Sequence, residues 1–293
     1  MKVLVTGAAG LLGGRLATLL AARGFAVVAL RHDAPTPPAL PALTLDLTDQ
    51  GALGATLDAS RPDAVVHAAV LSRADECERR PDLATDLNAR LPGRLGAACR
   101  ARGIRLVGLS TDLVFGGERA LSDERAAPFP LGVYGRTKLE GEQALLSADP
   151  SAAVARVALV AGRGHGPRGT ASESIAWALR EGQTVRLFAD EHRTPVDPES
   201  VADGVALLLE RGGAGLFHLG GPERLSRLEL GLRVARVLGL PSRGIESALQ
   251  AEYGGPDRRP ADTSLDSARA RQELGWKPGP LDRALRSSRL QPD

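Results

Sequence analysis

Only two of the 293 residues are cysteine, Cys77 and Cys99, and no CxxC pair occurs. A disulfide framework is therefore excluded, and a reducing compartment fits the chain. Neither sign of charge is in excess: 37 Lys and Arg stand against 35 Asp and Glu, for a net charge of +2. That balance argues against a nucleic-acid partner and against a membrane surface. No apolar run approaches the roughly 20 residues that a bilayer span requires. The start, MKVLVTGAAG, lacks a signal-peptide cleavage pattern and reads directly as a strand and turn, so a cytoplasmic protein is expected. Five histidines show neither HExxH nor HxH spacing, and no metal is expected. GxSxG is missing too, which disfavours serine-hydrolase chemistry. Lysine occurs only at Lys2, Lys138 and Lys277, and Asn88 is the sole asparagine. In a chain so poor in these types, the positions of the few that remain are informative.

What is present is the profile of a folded domain, with 43% hydrophobic and 25% charged residues. Through about residue 160, short apolar runs alternate with longer amphipathic stretches. KVLVT, FAVVAL, LTLDL, AVVHAA, IRLVGLS and AAVARVALVA read as six strands, with Leu11 to Arg23 and about Leu83 to Arg102 among the helices, the latter kinked at Pro92. This alternation predicts an α/β fold, a doubly wound parallel sheet of the Rossmann type. Beyond Gly162 the pattern loosens into TVRLF, a helix from Pro198, GLFHLGG and a helical, loop-rich end. The expected division is a dinucleotide-binding portion over 1–161 plus about 184–220. A smaller interleaved lobe takes about 162–183 and 221–293.

TGAAGLLGG lies between the first strand and its helix, where glycines let a pyrophosphate approach the backbone at a helix N-terminus. Gly7, Gly10 and Gly13, with Leu11 and Leu12 between them, are the expected cofactor contacts. The second strand ends in Arg31, where an acidic residue usually takes the ribose of NAD. A guanidinium there suits a 2′-phosphate, so NADP is expected, with NAD possible if Asp33 takes the ribose instead. Asp46 and Leu47 end the third strand, where the carboxylate could accept from the adenine amino group. Ala68 and Ala69 follow the fourth strand and are small enough for the cofactor to pass. His67 reads as a packed histidine rather than a catalyst.

Tyr134 and Lys138 are spaced i, i+4, so one helix face carries both. A free phenol with a pKa near ~10 is a poor proton carrier at neutral pH. A nearby cation favours phenolate, so Lys138 is expected to lower the Tyr134 pKa, while also holding the nicotinamide ribose. Thr111, at the carboxyl end of the fifth strand, could bond the substrate oxygen; the bland alternative is a turn that caps the strand. Asn88 reads as a structural or water-relaying amide.

These stretches, with RPDAVVHAA, LSTDLVFGG, PLGVYGRTKLEGE, FADEHRTPV and RRPADTSLD, make the chain resemble extended short-chain dehydrogenases of the dTDP-4-dehydrorhamnose reductase branch from residue 2 to about 266. The resemblance implies a two-lobed enzyme that binds NAD(P)H in the larger lobe and a nucleotide-sugar in the smaller, with Thr111, Tyr134 and Lys138 as the catalytic trio. Arg156 or Arg259 would clamp the diphosphate, since guanidinium forks onto phosphate oxygens. A homodimer is compatible. The chain departs from the reductases in Val157, Ala158 and Leu159 after Arg156, where Thr-Ser-Trp is usual, and in Gly132, where Asn is common. Two alternatives stand beside the reductase. One is a nucleotide-sugar epimerase. The other is a non-catalytic subunit of the same fold, as in the regulatory subunit of methionine adenosyltransferase.

Overall fold

The computed structural model describes residues 1–252 and 259–290. Among the described residues, eleven strands run in order: β1 (Lys2–Thr6), β2 (Ala26–Arg31), β3 (Ala42–Thr44), β4 (Ala64–His67), β5 (Arg105–Thr111), β6 (Ala153–Val157), β7 (Val185–Phe188), β8 (His192–Arg193), β9 (Gly215–Leu219), β10 (Leu225–Ser226) and β11 (Ile245–Ala248). Seven form one parallel sheet in the order β3-β2-β1-β4-β5-β6-β9. The apolar runs dictate this. A strand buried on both faces needs helices on both, and the crossovers that join parallel strands supply them, with the helix-free loop between β2 and β3 as the exception.

Alternation along β1 splits the core in two. Val3 and Val5 face one layer, with Leu16, Leu20, Val201 and Leu208 from the helices Leu11–Ala22 and Pro198–Arg211. Leu4 faces the other, with Leu57, Leu91 and Leu95 from the helices Gln50–Ser60 and Leu91–Arg100. Each such leucine contributes about 1.5–3 kcal/mol on burial. A third apolar cluster, around Ile175, Leu179, Leu187, Leu230, Val234 and Leu285, is the core of the smaller lobe. Its helices Ala171–Arg180 and Arg227–Leu238 start at reciprocal capping boxes, Thr170 with Glu173 and Ser226 with Glu229.

Several expectations are corrected. TVRLF, placed above with the dinucleotide-binding portion, pairs as β7 with β11, and Leu187 packs in the third cluster. The chain rejoins the large sheet at Asp197, whose side chain accepts from Ser200 N to cap the helix Pro198–Arg211. Trp276, placed in the smaller lobe, is buried in the large core and donates Nε1–H to Ser200 O at 2.7 Å. LTLDL stays in the sheet only as Ala42–Thr44, so Asp46 and Leu47 lie beyond it. Residues 81–100 are helical throughout, and Pro92, which has no N–H to donate, lies within that run. The irregularity precedes it, as a π-helical turn over Thr85–Arg90. Both cysteines are free and buried. Among the described residues, no helix is long and apolar enough to cross a membrane.

Candidate active site

The carboxyl ends of β1, β4 and β5 meet at one cleft. Gly7 closes the turn after β1 with φ +66°, and Gly10 N donates to Gly7 O at 2.9 Å. A Cβ on Gly7 would lie 2.6 Å from Ala69 backbone, and one on Gly13 would lie 2.3 Å from Gly7 O. Those two are glycine because the turn packs against itself and against Ala68-Ala69. Gly10 differs, since its Cβ would meet nothing nearer than Gly7 O at 3.2 Å. It caps the helix Leu11–Ala22 without any side-chain bond, which leaves first-turn N–H groups open. Gly7, Gly10, Leu11, Leu12 and Gly13 thus form a glycine-rich cradle at a helix N-terminus, and the residues present fit a dinucleotide pyrophosphate.

Two members of this end escaped the sequence reading. Thr6 Oγ1 accepts from Ala68 N and Ala69 N, 3.2 Å each, and binds His67 Nδ1 at 2.8 Å. Gly14 is glycine because a Cβ would lie 2.3 Å from the His165 ring, whose residue also donates its N–H to Leu11 O. Gly162, Gly164 and Gly166, crowded around His165, were the available hint of a close-packed strap.

Arg31 ends β2 half-exposed, its Nε without a partner and Nη1 only 3.5 Å from Ala34 O. Exposed Asp46 instead accepts from Thr48 N and Oγ1, and the Thr48 hydroxyl is the main reason its carboxyl lies below the usual range. Its neighbour Leu47 is buried in the core.

Thr111 ends β5, accepts from Leu113 N at 3.2 Å and donates to Asp112 Oδ1 at 3.1 Å. The strand-capping turn weighed above is thus present, and it aims the hydroxyl at Tyr134. The Tyr134 ring packs on Leu71, Cys77 and Val133 at the start of the helix Val133–Ala148. Burial pushes its phenol well above the usual value, the Thr111 hydroxyl pulls it down, and the Asp112 and Cys77 charges push it up. The expected lowering by Lys138 is not what this arrangement does. Lys138 Nζ donates to Leu109 O at 2.7 Å, turned to the sheet backbone rather than the phenol. Burial lowers Lys138 to about 8, against a raising pull from Glu142.

Asn88 is a structural amide. Its Oδ1 accepts from Leu71 N, and its Nδ2 donates to Leu71 O and Thr137 Oγ1. Arg156, expected at the diphosphate, is 2% exposed, with its guanidinium paired inside the protein. Nη2 and Nε donate to Glu142 Oε2 and Oε1 at 2.7 and 3.0 Å, and Nη1 faces His218. A polar residue in the middle of β6, buried at all five positions, has to be paired internally.

Arg259 lies on the lobe side, donating to both Glu191 oxygens at 2.7 and 3.1 Å. Glu191 also meets Arg193 at 3.2 Å and Arg227 at 3.8 Å. Burial alone would raise its carboxyl; the Arg259 hydrogen bond and the three positive charges outweigh this and hold it low. Arg193 reaches Asp112 Oδ2 at 3.9 Å, and Thr263 donates to the same oxygen at 2.9 Å. Asp112 therefore links Thr111 to the lobe and to a cationic array of three arginines around one carboxylate. Arg258, from the RRPADTSLD stretch, lies outside the described residues. Among the described residues, no group of three or more His, Cys, Asp or Glu side chains is placed to hold a metal.

Comparison with known proteins agrees with this architecture. A family model, the RmlD substrate binding domain, matches residues 1–289. The chain is similar to a probable low-salt glycan biosynthesis reductase of Haloferax volcanii, 34% identical, with 94% of this chain and 93% of that one covered. It is 33% identical to a dTDP-4-dehydrorhamnose reductase of Streptomyces griseus, with 95% and 88% covered. Among solved structures, a hypothetical dTDP-4-dehydrorhamnose reductase from Sulfolobus tokodaii superposes with a TM-score of 0.86 at 31% identity, with 99% and 100% covered. Matched along almost its whole length, the chain belongs to the RmlD substrate binding domain family.

Proposed function

We propose that the chain is an NADPH-dependent reductase of a nucleotide-linked 4-keto sugar, of the kind the reductase relatives are named for. Bound along the cradle, the dinucleotide supplies the hydride. Gly7, Gly10, Leu11, Leu12 and Gly13 hold its pyrophosphate, Ala68 and Ala69 leave room for it, and Asp46 with Leu47 borders the adenine. Arg31, part-exposed at the end of β2, takes the 2′-phosphate with its guanidinium. Lys138 holds the nicotinamide ribose.

The observation that carries the reading is the placement of Tyr134 beside Thr111, on the helix that also carries Lys138. Reduction of a ketone needs a group that is protonated before the step and gives the proton to the developing alkoxide. The Tyr134 phenol, buried beside the Thr111 hydroxyl at the end of β5, is placed to give that proton, although burial by itself makes it a weaker acid than a free phenol. Thr111 steadies the same oxygen. Lys138, at about 8, is charged at neutral pH and spends one of its three N–H groups on Leu109 O. Arg259, whose side chain is part-exposed and oriented by Glu191, is the member of the three-arginine array placed to meet a diphosphate.

The test is the loss of NADPH absorbance with a panel of nucleotide-linked 4-keto sugars, for which turnover of at least one is expected. No turnover with any, together with co-purification of another enzyme, would favour the non-catalytic subunit. NAD retained through purification would favour the epimerase.

A further inference from the structure

Beneath Lys138 lies a small cavity whose wall includes His67, Gly108, Leu109, Ser110 and Glu142. Two polar atoms of that wall are buried and have no partner among the described residues: Nε2 of His67 and Oγ of Ser110. Their residues are 2% and 8% exposed. An unpaired buried donor costs about 1–3 kcal/mol, and here two unpaired groups share one small space.

The protonation of His67 follows from its other side. Thr6 Oγ1 accepts from Ala68 N and Ala69 N, which uses both its lone pairs. Its own proton therefore goes to Nδ1 of His67, 2.8 Å away. His67 then carries its hydrogen on Nε2, and burial, with the Lys138 charge, keeps the ring neutral by lowering its pKa to about 3. Lys138 spends one N–H on Leu109 O, and Arg156 donates to both Glu142 oxygens. The cavity thus brings donors of His67 and Lys138 beside the unpartnered Ser110 oxygen. A water has two lone pairs for His67 and Lys138 and a proton for the Ser110 oxygen, and polar cavities of this kind hold such waters.

We propose that the cavity is a specific water site that ties His67 and Ser110 to the Lys138 ammonium, making these two the positioning residues of the lysine. The arrangement is a holder rather than a proton channel, because Thr6 caps the far nitrogen of His67. Around Lys138 the charged and titratable groups are Glu142 and Tyr134 on its own helix, Arg156 of β6 paired to Glu142, and His67 of β4.

A high-resolution crystal structure of the full chain tests the site without any substrate. A single water within hydrogen-bonding reach of His67 Nε2 and Ser110 Oγ is expected; a dry cavity, or a protein atom filling it, overturns the proposal. Nitrogen-15 NMR of the unmodified protein is expected to show the Nε2–H tautomer of His67 at neutral pH, and the Nδ1–H form would overturn it. Ser110→Ala removes one partner of the water and so weakens solvation of the ammonium. The pH midpoint of NADPH dissociation is then expected to fall by about half a pH unit, and an unchanged midpoint would count against the proposal. The role given to Lys138 rests on the reductase reading, but the water does not. Finding the water in a protein that turns over no keto sugar would sink that reading alone.

Discussion

The two sides of the cleft are built by opposite means. At the β1 turn, side chains have been removed, and the backbone of residues 7–13 does the shaping. Beneath the helix Val133–Ala148, ionisable side chains have been buried instead: Lys138, Glu142, Arg156, His67 and His218. A turn without side chains costs little to hold and leaves N–H groups for a ligand. A buried charged layer costs several kcal/mol in desolvation and persists only while each member is paired. The first side should therefore fail in binding while staying folded, and the second should fail in stability.

The largest expected effect comes from breaking the buried layer. Glu142→Ala leaves Arg156 buried and unpaired and should cost about 3–5 kcal/mol in denaturant unfolding. Glu142→Leu combined with Arg156→Leu should recover most of it; a loss under 1 kcal/mol in the single variant would show that the layer tolerates an orphan charge. Gly10→Ala probes the other side. Its Cβ meets only Gly7 O at 3.2 Å, so the melting temperature should barely move while NADPH binding weakens about tenfold or more, a cost of about 1.4 kcal/mol. Equal losses in both would mean that Gly10, like Gly7 and Gly13, serves packing alone. Arg31→Asp should lower the NADPH-to-NADH affinity ratio by about tenfold, with an unchanged ratio assigning the 2′-phosphate to another residue.

The last effect is one of pH, and it accumulates gradually. His67 and His218 are held neutral by burial, near about 3 and about 4. The unfolded chain takes up their protons near 6.5, so stability is full above that pH. It should decline as pH falls from 6.5 towards these lower values, by up to about 1.4 kcal/mol per pH unit for each histidine. Unfolding midpoints that stay flat across this range would mean that neither histidine is kept neutral.

The same contrast decides what could be read from the chain alone. Removal of side chains is a local signal, so TGAAGLLGG could be located by inspection, and i, i+4 spacing put Tyr134 and Lys138 on one helix face. Partners in the buried layer are set by residues far apart. Lys138 bonds Leu109 O across 29 positions, and Arg156 pairs with Glu142 across 14, so neither partner follows from spacing. Arg156 resembled a phosphate clamp, yet its place inside the apolar run AAVARVALVA argued for a strand buried on both faces. Strand β7 illustrates the limit for the lobes, because TVRLF does not itself say which sheet it will join.

Tyr134→Phe is the most direct test of the account, measured as turnover beside the NADPH dissociation constant. The ring and its packing stay while the proton donor goes. Turnover should fall by about 10²–10⁴-fold or more, with NADPH affinity held within a few-fold. Turnover that survives in this variant would contradict the account.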